Sequence, residues 1–390
     1  MPRLSLSPVP PERADADLLV LPVAAGEDGP VAPPVTAGVL ARLGADLAVV
    51  AGGAGRFTGQ LDDVLLLPGY GAVAAPAVLL VGVGPDGRRS PETLRRAAAV
   101  AVAAAGKAAT LAVALHRAGG PEQPDGAALA AVAEGTLLAA YRFQRHKSAP
   151  DPDLAAATLL VDGEGSLAAA GPVLRRAEVA ARATLAARDL VNEPASRINP
   201  ATLAAEAVRL ARAAGLEHQV LAGPALRRGR FGAVLAVGGG SATGPRLVEL
   251  RYRPPGAGRH VALVGKGVTF DTGGIDLKRG AGMDGMKDDM AGAAAILAAV
   301  AAAAELELPT AVTAILPLVE NMPGASAMRP GDVITARNGL TVEVTNTDAE
   351  GRLILADGLA LAAEDGPDAI LDLATLTGSV VHGLGLGCTG

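Results

Sequence analysis

Two stretches of the chain gather residue types that hold cations and move protons. The first runs through residues 264–290 and contains Lys266, Asp271, Lys278 and Asp289. Lys266 and Asp271 follow a wholly apolar segment and lie among Gly265, Gly267, Gly273 and Gly274, which let a backbone approach a ligand closely. Asp289 is placed at the start of the next helix, where a carboxylate suits the helix dipole. The second stretch, residues 346–353, carries Asp348, Glu350 and Arg352 at alternate positions. In an extended segment these three side chains leave the same face, and two carboxylates there repel each other unless a cation lies between them. On spacing alone each stretch also reads as a solvated loop with surface charges. Together they offer four carboxylates and two lysines to one pocket.

That inventory suits divalent-cation chemistry. Two ions sharing bridging carboxylates hold a water whose pKa is strongly lowered. A lysine joins such a centre as a ligand only as the neutral amine, which burial and the ion itself favour. A second lysine kept protonated, or an arginine, stabilises the oxyanion of an attacked carbonyl.

The elements that must position these groups read as α/β. In the first part, strands are expected at 18–23, 64–67, 78–83, 111–115 and 159–162, with helices at 91–105 and 127–141. A long helical pattern at 173–190 follows Gly163, Gly165 and Gly171, which places the domain boundary at 163–172: residues 1–165 form an N-terminal α/β domain and 166–390 the catalytic domain. In the second part, strands are expected at 233–237, 247–252, 261–264, 311–316, 333–335, 342–344 and 370–373, and helices at 200–214, 286–304 and 353–363. The alanine-rich run at 291–304 is too short to span a bilayer and reads as a buried helix.

Composition narrows the function. A net charge of −6 without basic blocks makes nucleic acid an improbable main partner, and aromatics at 2% with no tryptophan leave little for stacking bases or sugars. The lone cysteine, Cys388, forms no intrachain disulfide, and no stretch reads as a signal peptide, so a cytoplasmic setting without membrane attachment is expected. His116, His146, His218, His260 and His382 lack metal-ligand spacing, and any metal centre must lean on carboxylates. Residues 238–240, three glycines, lack the strand, turn and helix order of a dinucleotide site.

The residues Lys266, Asp271, Lys278 and Asp289, with the octapeptide at 346–353, resemble the leucyl aminopeptidase family of two-metal cytosolic aminopeptidases. Residues 188–194, 320–324, 329–332 and 372–378 support the resemblance, which covers 185–378 and, more weakly, 134–147. It implies a macro-domain-like N-terminal sheet domain and a mixed α/β sandwich that carries catalysis. It implies one metal site from Asp271, Asp348 and Glu350 and another from Lys266, Asp271, Asp289 and Glu350, filled by zinc or manganese, with a bridging water or hydroxide attacking the scissile carbonyl. Lys278 would polarise that carbonyl, Arg352 would hold a bicarbonate that acts as general base, and the free amino group of a peptide substrate would bind a metal and Asp289. Met286, Thr375, Leu376 and Gly378 match positions lining the substrate pocket. A homo-hexamer is implied as well. The chain stops at Gly390, short of the family's usual length, so a catalytic domain incomplete at its C-terminus is expected, and with it an alternative: a weak or inactive homologue acting as an assembly or binding protein.

Overall fold

A computed structural model describes residues 1–53, 57–85, 90–119 and 126–385; Cys388 lies outside them. The chain forms two compact units, Met1–Arg182 and Ala183–Gly390. In chain order the strands of the first unit are β1 (Arg3–Ser7), β2 (Leu18–Gly26), β3 (Gly29–Val31), β4 (Val64–Pro68), β5 (Ala77–Pro85), β6 (Thr110–Val113) and β7 (Ala156–Leu160). They make a sheet of order β1-β7-β6-β2-β5-β4 with β3 paired to β2, parallel except at β4 and β3. Helices α1 (Pro34–Leu43) and α2 (Leu47–Gly53) pack with Leu19, Leu21 and Val23 of β2, while α3 (Pro91–Ala104) and α4 (Gly126–Ala139) pack with Leu18 and Val20. Strict alternation along β2 thus feeds two separate cores.

Helix α5 (Gly163–Asn192) begins ten residues before the expected 173, and the division between the units falls within it. Pro172 sits inside the helix. Gly163, with φ of 70°, lies at its start, so of the three glycines only this one marks a break in the chain direction.

The second unit holds β8 (Glu217–Ala222), β9 (Arg246–Tyr252), β10 (His260–Gly265), β11 (Gly267–Asp271), β12 (Ala311–Asn321), the hairpin β13 (Val333–Thr335) and β14 (Thr341–Glu343), and β15 (Ala369–Leu373). The main sheet has the order β15-β10-β12-β9-β8, with β11 also paired to β12. Strands β10, β11, β12 and β15 run parallel, and β9 pairs antiparallel with both β12 and β8, a mixed sheet. Helices α6 (Pro200–Ala213) and α9 (Ala291–Glu305) cover one face, and α7 (Pro224–Arg228), α8 (Gly232–Val237) and α10 (Glu350–Glu364) the other; a short α11 (Ser379–Leu384) follows β15. The layering is that of an α/β/α sandwich. Asn199 starts α6 with a reciprocal cap: its Oδ1 accepts from Thr202 N at 3.0 Å and its own N donates to Thr202 Oγ1 at 2.8 Å.

Three expected elements differ. Residues 233–237, read as a strand, form α8, because a short apolar run carries no periodicity that separates a strand from a buried helix. A distant carboxylate decides it: Asp357 of α10, fully buried, accepts from Val234 N at 3.0 Å in the first turn of α8 and from Arg337 N at 2.7 Å. Asp357→Ala is expected to lower the stability of this unit by about 1–3 kcal/mol by orphaning both donors. A urea midpoint that does not move would contradict this. The helix expected at 286–304 starts at Ala291, after a 3₁₀ turn at Met286–Asp288, so Asp289 precedes the helix. Residues 348–352 are not extended: α10 begins at Glu350, and Glu350 and Arg352 leave different faces. Gly238–Gly240, itself a 3₁₀ turn, packs against a neighbouring loop; a Cβ on Gly240 would lie 2.0 Å from the Met322 carbonyl oxygen. No single helix among the described residues is long and apolar enough to cross a membrane.

Candidate active site

The carboxyl ends of the parallel strands converge on one cleft of about 750 Å³, the position where open α/β sheets collect their ligands. Lys266, Asp271, Lys278, Met286, Asp289, Asp348, Glu350, Arg352, Thr375, Leu376 and Gly378 all line it. Lys266 falls in the interruption between β10 and β11, its N donating to Leu373 O of β15 at 2.9 Å and its carbonyl accepting from Ala293 N at 2.9 Å. Gly351 gives its side chain room: a Cβ there would lie 2.5 Å from Lys266 Cε.

Asp271 ends β11, and its aim depends on a bulge. The pairing Val268 with Val319 is followed by Phe270 with Glu320, so Thr269 is an extra residue and Asp271 falls opposite Asn321. A shift of one residue reverses the face a strand side chain occupies, so this insertion selects the side to which Asp271 points.

The charged groups interlock. Lys266 Nζ lies 2.6 Å from Asp289 Oδ1 and 3.1 Å from Glu350 Oε1, all three residues being buried. Lys278 Nζ lies 2.8 Å from Asp271 Oδ2 and 2.5 Å from Asp348 Oδ1. Thr375, itself exposed, caps this buried set: its Oγ1 donates to Asp289 Oδ1 at 2.8 Å and its carbonyl accepts from Lys266 Nζ at 2.9 Å. Arg352 is exposed at the cleft, away from these pairs.

Fully ionised, four carboxylates would outnumber the two ammonium groups, and the protonation equilibria reflect that. Burial, opposed by Lys266, pushes Asp289 up to about 6. Burial, with repulsion from Asp271 and Asp289 and against attraction from Lys266, pushes Glu350 up to about 7. Burial alone would lower Lys278, but hydrogen bonds to Asp271 and Asp348 overcome it and raise the ammonium well above its ordinary range.

This donor set fits divalent cations. Oxygens of Asp271, Asp348 and Glu350 lie within 4.8 Å of one another. Asp289 Oδ2 and Glu350 Oε2 are buried without a hydrogen-bond partner, and an orphaned carboxylate oxygen is stable only when something positive reaches it. Since a cation binds the ionised carboxylates, its uptake is coupled to proton release.

Fold and cleft together define an α/β enzyme with an acidic, cation-binding centre. Residues 185–390 match the cytosol aminopeptidase family, catalytic domain, and residues 39–150 match that family's N-terminal domain. A probable cytosol aminopeptidase of Micrococcus luteus is 45% identical over 97% of this chain and 74% of its own length, and one of Leifsonia xyli subsp. xyli is 43% identical over 98% and 74%. Among solved structures, the bottromycin maturation enzyme BotP in complex with Mn superposes with a TM-score of 0.81 at 39% identity, over 95% of this chain and 74% of that one. A tomato leucine aminopeptidase mutant superposes with a TM-score of 0.86 at 30% identity, over 99% and 76%. The chain belongs to the cytosol aminopeptidase family. It is accordingly a peptidase, a hydrolase of the aminopeptidase class.

Proposed function

We propose that this chain removes N-terminal residues, leucine and similar apolar residues foremost, from peptides, using two divalent cations, zinc or manganese. The observation that carries this reading is the meeting of four carboxylates and two lysines in one cleft with buried carboxylate oxygens left unpartnered. Asp271, Asp348 and Glu350 would hold one ion, and Lys266, Asp271, Asp289 and Glu350 the other, so that Asp271 and Glu350 serve both. When bound, the ions would supply a bridging water or hydroxide acidic enough to ionise near neutral pH and a Lewis acid for the scissile carbonyl.

The chain's own groups do the remainder. Lys266 would serve as a ligand only as the neutral amine, through its lone pair. Asp289 accepts a hydrogen bond from the substrate's free amino group, which restricts cleavage to the first peptide bond. Lys278, held as an ammonium by Asp271 and Asp348, donates to the oxyanion that forms on the attacked carbonyl. Arg352, exposed and without an ion pair among the described residues, is available for a bicarbonate that takes the proton of the attacking water. Met286, Thr375, Leu376 and Gly378 line the cleft beside these groups and form the wall against the first side chain.

A leucyl anilide should be hydrolysed and its N-acetylated form resisted by at least about a hundredfold, since the acetyl group removes the amine that Asp289 reads. Equal rates on the two would overturn the reading. We further propose a cytoplasmic location, supported by the name of the relatives and the single cysteine, and a homo-hexameric assembly, on the family resemblance alone. A second reading, a weakly active binding or assembly protein, is favoured by one observation: β15 and the segment after it expose Ile370, Leu371, Leu373, Leu376, Val381 and Leu384. Cation uptake without turnover on any N-terminal residue would support it.

A further inference from the structure

Asn321 ends β12, is 1% exposed, and appears in none of the roles assigned above. Its side-chain amide donates twice, to Asp271 Oδ1 at 2.8 Å and to Thr347 O at 3.0 Å. Its carbonyl accepts from Thr272 N at 3.0 Å and Thr272 Oγ1 at 2.7 Å. One residue therefore grips the carboxylate that ends β11, the residue after it, and the peptide immediately before Asp348.

The two loops it joins are also strapped directly to each other. Thr347 Oγ1 donates to Gly273 O at 2.6 Å, Asp276 N donates to Thr347 Oγ1 at 2.9 Å, and Thr347 N donates to Asp276 Oδ2 at 2.7 Å. The loop carrying Asp348, which leads into Glu350 at the start of α10, has no strand pairing with β11 among the described residues, so these side-chain bonds set the spacing between Asp271 and Asp348. Among the side chains of the set, Asn321 reaches a carboxylate of the centre itself, and its two N–H groups are donors of fixed geometry that no hydroxyl reproduces.

We propose that Asn321 is a positioning residue of the cation centre: it aims Asp271 and holds the Asp348 loop at the distance that lets one cation be shared between them. The inference rests on the two-cation reading. Asp271 Oδ1 is already taken by the Asn321 amide and by Gly273 N at 2.9 Å, which leaves Oδ2, beside Lys278, as the oxygen turned to the cleft. Loss of the amide frees the carboxylate to rotate and releases the Thr347 carbonyl together.

The test compares Mn²⁺ binding by calorimetry, on metal-free protein, for the unmutated chain, Asn321→Ala, Asn321→Leu, and Thr313→Val. Leucine keeps the number of side-chain heavy atoms and the branch at Cγ of asparagine without a donor, and so supplies a second variant if alanine does not fold. Thr313 is a comparably buried residue of the same strand whose hydroxyl bonds to His260 Nε2 at 2.8 Å and to neither loop. Both Asn321 variants are expected to bind Mn²⁺ about 10–100-fold more weakly, the usual cost of losing a group that orients a ligand, with turnover regained at excess Mn²⁺ and KM little changed. Thr313→Val is expected to keep the affinity. Unchanged affinity in a folded Asn321 variant, or an equal loss in Thr313→Val, would overturn the positioning role alone. Absence of Mn²⁺ uptake by the unmutated chain would overturn the two-cation reading and this role with it.

Discussion

Replacing Glu350 with alanine is expected to lower turnover of a leucyl anilide by more than about a thousandfold while the chain stays folded. Groups that merely orient a metal ligand are worth about 10–100-fold, and Glu350 is proposed as a ligand shared by both cations. Its removal should therefore cost one ion or both. Unfolding is not the expected route. Glu350 is buried with one oxygen unpartnered, Lys266 keeps Asp289 as its partner, and the position is the first of α10, where alanine is well tolerated.

The pH dependence separates the two explanations. In the metal-free protein the carboxyl titrates at about 7, above its ordinary 4.5. A raised acid pKa in the folded state costs stability as pH rises from the unfolded value through the folded one, and nothing below both. Metal-free Glu350→Gln should accordingly match the unmutated chain below about pH 4.5 and exceed its stability above about pH 7. A denaturant midpoint that falls in the variant at pH 8 would show Glu350 to be a structural group, and turnover within tenfold of the unmutated chain would remove it from the centre.

The second large effect is expected at Lys278. Lys278→Met should reduce kcat by about 10²–10³, the range found when one oxyanion donor is removed, with KM little altered. Metal content should be retained or increased, because losing the ammonium leaves Asp271 and Asp348 without the cation that neutralises them. This direction opposes the one expected at Glu350. The ammonium is held well above its ordinary range, so its own titration does not shape the rate profile near neutral pH. Loss of metal together with activity in this variant would mean that Lys278 organises the ligands and does not act on the substrate.

Much of this was legible before any coordinate. Lys266, Asp271, Asp289, Asp348 and Glu350 stand out as candidate cation ligands, but their spacing alone also allows solvated loops; the resemblance to the leucyl aminopeptidase family singles them out, and the cleft brings all five together. The strands 18–23 and 78–83 stand out because both faces are covered, which makes them continuous apolar runs. What escaped was non-local. Residues 233–237 are helical because Asp357, more than a hundred positions away, accepts from their N–H groups. The same-face reading of Asp348, Glu350 and Arg352 failed because the helix starts between the first and the second. Asn321 lies in a stretch that supports the family resemblance, but an asparagine after ten strand residues carries no sign that its amide reaches two loops on either side. The bulge at Thr269 is equally silent, since it exists only in the register of β11 against β12.

The claim at the centre is that the cleft works by holding two cations, and a single titration bears on it most directly. Metal-free protein is titrated with Mn²⁺ in a calorimeter while leucyl anilide turnover is sampled at each addition. The expected record is uptake of two ions per chain, proton release that grows as the buffer pH falls from 8 to 6, and turnover that reaches its maximum only with the second ion. Full turnover in the metal-free protein, or saturation of binding and turnover at one ion per chain, would contradict the account.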